Sequence, residues 1–221
     1  MSIAENIKQL KNELGEGVEL VAVSKTKPAS DIQEAYDAGQ RIFGENKARE
    51  MEGKAEELPK DIEWHMIGHM QSNKVKYIAP FVSLIHSVDK LSLLKEVNKR
   101  ARQNERTIKV LLQLHIAKEE SKFGLDETEL EELLTSEAYK NYENIEVVGL
   151  MGMATFTDNE AQVKKEFTYL KGVFDQVKAD HFSTQASFSV LSMGMSGDYK
   201  IAIKEGSNMV RIGSMIFGAR S

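Results

Sequence analysis

Val18-Glu19-Leu20-Val21-Ala22-Val23-Ser24-Lys25-Thr26-Lys27-Pro28 is the stretch whose reading decides the fold. It is an apolar run rich in Val and Leu, opened by Gly17 and closed by lysine and proline, as expected of a buried parallel strand. With a period of two, Val21, Val23 and Lys25 share one face, so the lysine follows two core residues into an interior. An ammonium placed among apolar neighbours is costly unless it is paired, deprotonated or chemically used. A lysine held in this way is the usual form of a Schiff-base nucleophile. The competing reading is a strand-end lysine that buries its stem and tips its amine into water.

Working outward, the rest of the chain alternates strands with helices. Pro28 to Ala38 reads as a helix stopped by Gly39, and Arg41 to Glu45 as a second strand. The charged stretch Lys47 to Leu58 is the next helix, and Glu63 to Gly68 the third strand. Ser72 or Asn73 is placed to cap the helix that follows. Val82 to Val88 is the fourth strand, with Asp89 placed to cap a helix from Lys90 to Asn104. Thr107 to Ile116 is the fifth and longest strand. After it come the loop Glu119-Glu120-Ser121-Lys122-Phe123-Gly124 and a helix over Glu127 to Ala138. Ile145 to Met151, Phe188 to Ser192 and Met209 to Ile212 complete the strands, with helices over Asn159 to Val177 and Gly197 to Glu205 between them.

Eight strands separated by helices imply parallel pairing and right-handed crossovers, and hence an α/β fold closed as a single (β/α)8 TIM-type barrel. One domain over residues 1–221 is expected, since three prolines and no Gly/Ser-rich tract leave no linker. An open doubly wound sheet is the rival, but it announces itself with a glycine fingerprint after strand one, where this chain has Ser24-Lys25-Thr26-Lys27-Pro28. Ile3, Ile7, Leu10 and Leu14 form one stripe of an N-terminal amphipathic helix. No helix is expected after strand eight, so this N-terminal helix would cover the wall left bare.

Composition excludes several functions. A net charge of −5 argues against nucleic acid and anionic membranes as partners. The basic residues Lys95, Lys99, Arg100, Arg102, Arg106 and Lys109 spread around a helix instead of forming a stripe. Without cysteine there is no disulfide, thiol nucleophile or thiolate metal site. No apolar run is long enough to span a bilayer, and a cytoplasmic location is the default.

Barrels keep their working residues at the C-terminal ends of strands and often hold phosphate after strands seven and eight. Here those positions carry Ser192-Met193-Gly194-Met195-Ser196-Gly197 and Arg211-Ile212-Gly213-Ser214. Glycines let backbone N–H groups approach an anion, hydroxyls add donors, and a helix starting near Gly197 offers its positive end. Arg211, inside an apolar strand, needs an acceptor because its charge is not titrated away. A strand-one lysine, a phosphate cup and a buried arginine together suggest pyridoxal 5′-phosphate (PLP). Lys25 would carry it as a Schiff base, and Ser196, Gly213 and Ser214 would hold its phosphate. Arg211 would face the pyridine nitrogen and keep it unprotonated, making the ring a poor electron sink.

The segments AVSKTKP (22–28), FGENK (43–47), EWHMIGHMQSNK (63–74), GLMGMAT (149–155), LSMGMSGDY (191–199) and MVRIGSMIFGAR (209–220) closely resemble the pyridoxal phosphate homeostasis protein family. That family is similar to the barrel domain of fold-type III alanine racemases standing alone, and the resemblance runs over nearly the whole chain. It implies PLP on Lys25, phosphate contacts from Ser196, Gly213 and Ser214, Arg211 near the ring nitrogen, and Asn46 lining the pocket. The racemases carry a second, β-rich domain whose tyrosine acts as an acid/base from the partner subunit, and this chain is expected to lack it. Racemisation needs proton donors on both faces of the substrate adduct. The resemblance therefore implies a non-enzymatic role in PLP (vitamin B6) and amino-acid homeostasis, with delivery to PLP-dependent apoenzymes, by a chain expected to be a monomer. A small PLP-dependent racemase or lyase is the alternative.

His65, His86 and His115 lie near the ends of strands three to five, but without His-x-His or His-Glu-x-x-His spacing. Core or rim histidines are expected there, and no metal. Lys27 and Lys122 are read as solvated loop lysines and not as further cofactor contacts. Met151 and Met153 are read as core or pocket wall.

Overall fold

In the computed structural model, which describes residues 2–119 and 122–218, the opening run forms β1 over Glu19–Val23. It is preceded by α1 (Ile3–Leu14) and followed by α2 (Ala29–Asp37), β2 (Ile42–Glu45), α3 (Ala48–Glu57) and β3 (Glu63–Met66). A 3-10 turn (Ser72–Lys74) leads into α4 (Val75–Ile78), then β4 (Leu84–Val88), α5 (Leu91–Gln103) and β5 (Ile108–Leu114). Next come α6 (Glu127–Thr135), α7 (Glu137–Lys140), β6 (Ile145–Gly152) and α8 (Glu160–His181). The last elements are β7 (Val190–Met195), α9 (Tyr199–Lys204), β8 (Met209–Ile212) and α10 (Ser214–Phe217).

The eight strands pair in chain order, all parallel, and β8 closes onto β1 through Val21 opposite Arg211 and Ala22 opposite Ile212. This is the TIM-type barrel expected. Alternation sorts the side chains into two cores. Val21, Leu84, Leu111, Val148, Met151 and Met209 form a smaller core. Leu20, Ala22, Ile85, Val110, Leu112 and Val210 face the helices, where the larger core lies.

α1 buries Ile7, Leu10 and Leu14 and is started by a capping box between Ser2 and Glu5. It packs against β1, α2 and α10. It does cover the wall, but a one-turn helix, α10, follows β8 and shares that task.

Other local expectations shift for identifiable reasons. Asp89 does not cap α5, whose N-cap is Lys90 without a side-chain bond. Its carboxylate lies 3.3 Å from His69 Nδ1 instead. Ser72 and Asn73 are spent inside the 3-10 turn and do not cap α4. The helix read from Glu127 to Ala138 breaks at Ser136, where an extended backbone lets the hydroxyl accept from Tyr139 N–H and start α7. β6, with eight residues, outgrows β5, with seven, because the register slips at Val148. β7 begins later than expected because Phe188 leaves the sheet to stack on Phe174 and Phe182. Glu120 and Ser121, and Ala219 and Arg220 of the last motif, lie outside the described residues.

Candidate cofactor site

The barrel wall is mixed in character. At register positions shared with the smaller apolar core, such as Met151 opposite Gln113 and Ser192 and Val21 opposite Arg211, it carries His65, His86, Gln113, Ser192 and Arg211, all buried. Beyond the C-terminal ends of the strands lies the mouth. Val23 of β1 pairs with Gly44 of β2, so Lys25 and Asn46 each stand two residues beyond a paired position on neighbouring strands. Lys25 is half-buried in the turn that leaves β1, and Asn46 is half-buried beside it in sequence register. Gly68 permits this crowding, since a Cβ there would stand 2.6 Å from the Asn46 carbonyl oxygen.

On the other side of β1, Gly213 presses against Val23. A Cβ at Gly213 would lie 3.1 Å from Val23 O, so the chain after β8 runs close along the end of β1. Ser214 and Met215 open α10, where the helix itself offers their N–H groups no acceptor. Met195 pairs with Arg211, which puts Ser196 at the same rim. Thus Lys25, Asn46, Ser196, Arg211, Gly213 and Ser214 all fall at the C-terminal ends of four adjacent strands, β7, β8, β1 and β2. One expectation changes here. The helix after β7 starts at Tyr199 and not near Gly197, and its N-cap is Asp198, whose carboxylate accepts from Met195 N–H at 2.6 Å.

Arg211 sits at the centre of a buried chain of hydrogen bonds. Its Nη1 donates to Ser192 O at 2.9 Å and to Ser192 Oγ at 2.5 Å, and Nη2 donates to Gly152 O at 3.1 Å. His86 Nδ1 lies 3.1 Å from Ser192 Oγ, and His86 Nε2 lies 3.0 Å from His65 Nδ1. Burial holds the His65 imidazole down at about 3, and burial, His65 and Arg211 hold His86 well below the ordinary histidine value. Both rings are therefore neutral, so each ring carries one donor and one acceptor nitrogen, and one relay satisfies every member. Arg211 donates to the hydroxyl, the hydroxyl to His86 Nδ1, and His86 Nε2–H to His65 Nδ1. Burial lowers the Arg211 guanidinium to about 10, with Asp198 opposing, so it remains a cation near neutral pH. Its bonded acceptors are all uncharged.

A second buried network lies on the outer side of the same wall. Ser24 and Glu45, one residue out of phase with Lys25 and Asn46, face α3. Lys54 Nζ, on α3, donates to Glu45 Oε1 and Glu50 Oε1 at 2.7 Å each and to Ser24 O at 2.8 Å. Ser24 Oγ donates to Glu45 Oε1 at 2.6 Å, and Thr26 N–H donates to Glu50 Oε1 at 2.6 Å. Burial pushes the Glu45 carboxyl up, against the pull of Lys54 and Ser24; burial also acts on Glu50, but hydrogen bonds from Lys54 and Thr26 hold it low. Sequence reading missed this network. Its signal was present: Ala48, Met51 and Lys54 form the buried stripe of α3, with a lysine where an apolar residue is expected.

Lys27 donates to Phe217 O at 2.9 Å and ties the β1 turn to α10, so it is not simply solvated. Lys122 bonds Ala154 O and pairs with Glu119, bridging the β5 and β6 loops. His115 bonds Glu119 O, apart from the His65–His86 pair. Met151 is core, as read. Among the described residues no cluster of three His, Asp or Glu could hold a metal, and no helix is long and apolar enough to cross a membrane.

Comparison with known proteins gives a consistent result. The family model for the alanine racemase N-terminal domain matches residues 1–221. The pyridoxal phosphate homeostasis protein of Aquifex aeolicus is 37% identical over 222 residues, covering 99% of this chain and 95% of its own. PipY of Synechococcus elongatus, solved without PLP, superposes with a TM-score of 0.92 at 34% identity, covering 98% of this chain and 100% of that one. PipY with PLP bound gives 0.88 at the same identity and coverage. An alanine racemase of Bartonella henselae, at 17% identity and a TM-score of 0.72, shares the fold. The chain belongs to the alanine racemase N-terminal domain family and, within it, to the pyridoxal phosphate homeostasis proteins.

Proposed function

We propose that this chain is a PLP-binding protein, one barrel domain over residues 1–221, that holds the cofactor covalently on Lys25. Its role is in intracellular PLP and amino-acid homeostasis and not in turnover. The observation that carries this reading is that a half-buried lysine just past the end of β1 and a buried arginine on the adjoining strand β8, whose bonded partners are all neutral, fall at the same end of the barrel. When bound, PLP supplies an aldehyde that condenses with amines, a phosphate, and an electron-withdrawing ring.

The donor set suits that group. Lys25 supplies the amine. The Ser196 and Ser214 hydroxyls and the amides after β8 supply donors for the phosphate, with Gly213 keeping the backbone close. Asn46 lines the opposite side. Arg211 offers a fixed cation to a ring acceptor, and its charge disfavours a proton on that acceptor. His65 and His86, neutral and bonded to each other, hold Ser192 and through it Arg211 in one orientation. An arginine in this place makes the ring a weak electron sink, a property that a racemase or lyase would share; amino-acid turnover that tracks bound PLP would favour the enzyme. Partner proteins on this reading are apoenzymes that take up PLP, and the place of action is the cytoplasm.

The test is an absorption titration of the purified protein with PLP, wild type against Lys25→Ala. The reading expects a violet band in the wild type that the variant lacks. No band in PLP-saturated wild type would overturn it.

A further inference from the structure

The two residues that flank Lys25 are held from outside the barrel. Ser24 is fully buried, its hydroxyl on Glu45 and its carbonyl on Lys54. Thr26 has φ of +65°, a left-handed conformation that a β-branched residue avoids. Its N–H is bound to Glu50, and Glu50 is bound in turn to Lys54. Such backbone strain persists only where surrounding groups over-determine it, and it gathers where a side chain must be aimed. Here Lys54 and Glu50 act on the outer face, and the residue between the two held positions is Lys25.

We propose that Lys54 and Glu50 are positioning residues for Lys25, clamping Ser24 and Thr26 from the outer face of the wall so that the intervening lysine is presented to the mouth. This rests on the reading of Lys25 as the cofactor lysine. Lys25 condenses with an aldehyde by forming C=N and releasing one water, reversibly, so the rate depends on how well its amine is placed. The clamp touches neither cofactor nor reacting atoms.

The test compares wild type, Glu50→Ala and Glu50→Gln, since Glu50 is only partly buried and its loss spares the Lys54–Glu45 pair. Three quantities are measured: the rate of PLP attachment, the affinity for pyridoxine 5′-phosphate, which has phosphate and ring but no aldehyde, and amide exchange at Thr26 without ligand. Glu50→Ala is expected to slow attachment about tenfold and to speed Thr26 exchange while leaving pyridoxine phosphate affinity unchanged. Glu50→Gln, which keeps an acceptor for Thr26, is expected to restore most of the rate. Equal attachment rates in all three proteins, or a parallel loss of pyridoxine phosphate affinity, would overturn the clamp while leaving Lys25 as the cofactor lysine. Failure of the wild type to attach PLP would sink the cofactor reading itself, and the clamp's purpose with it.

Discussion

Among the described residues two cations are buried, Lys54 and Arg211, and their partners differ. Lys54, on the outer side of the wall, is bonded to two carboxylates and a carbonyl. Arg211, on the inner side, is bonded to two carbonyls and a hydroxyl, with two neutral histidines behind that hydroxyl. The first charge is bonded directly to carboxylates, whereas the second has only neutral bonded acceptors and feels the Asp198 carboxylate without a bond. A buried charge with no bonded counter-charge is costly and gathers at functional sites. Lys54 therefore reads as architecture, and Arg211 as a group waiting for an electron-rich ligand.

The contrast predicts opposite profiles for the two substitutions. Lys54→Met leaves the Glu45 carboxylate buried and unpaired, so it should cost the most stability, about 3–5 kcal/mol by urea denaturation. Arg211→Met removes a charge that has no bonded carboxylate along with its hydrogen bonds to neutral groups, and should cost less, about 1–3 kcal/mol. Its larger effect should fall on the ligand, with PLP retention weakened about tenfold in an equilibrium dialysis assay. If Arg211→Met proved the more destabilising of the two, the distinction would fail.

The histidines sharpen the same comparison. Both have protonation suppressed by burial, so the unfolded chain binds protons that the folded one refuses. Their contribution is whole above about 6.5 and is lost as pH falls from there toward the folded value of about 3. The unfolding free energy from urea denaturation should thus fall below neutrality, by about 1–2 kcal/mol per pH unit. A flat profile between neutrality and pH ~5 would mean that the pair is protonated when folded and that Arg211 has different company. The smallest effect belongs to Lys27→Ala, which removes the tie to Phe217 O. It should lower stability by about 0.5–1.5 kcal/mol and leave the absorption spectrum of the PLP-bound protein unchanged.

Much of this was legible in the sequence. Strand count, order and closure followed from alternation, because parallel strands need crossovers and eight such units close. Lys25 and Arg211 stood out because charges inside apolar runs demand a reason. Ser24, Glu45 and Lys54 did not, because their contacts cross from a strand end to a helix. Glu45 reads as an ordinary strand-end acid and Lys54 as one more charge in a charged helix until α3 is rotated against β2. The Arg211–Ser192–His86–His65 chain was hidden for a related reason. Its members come from four strands, β3, β4, β7 and β8, and only the register around the barrel brings them together. Asp89 and Ser72 misled as caps because a suitable side chain before a helix is a preference that tertiary partners such as His69 override.

The most direct test of the central claim is to load the protein with PLP, reduce with borohydride, and map the modified lysine by peptide mass spectrometry. The account predicts one phosphopyridoxyl group, on Lys25, in the wild type and none in Lys25→Ala. Stoichiometric modification of Lys27, Lys54 or Lys122 with Lys25 unmodified would contradict it.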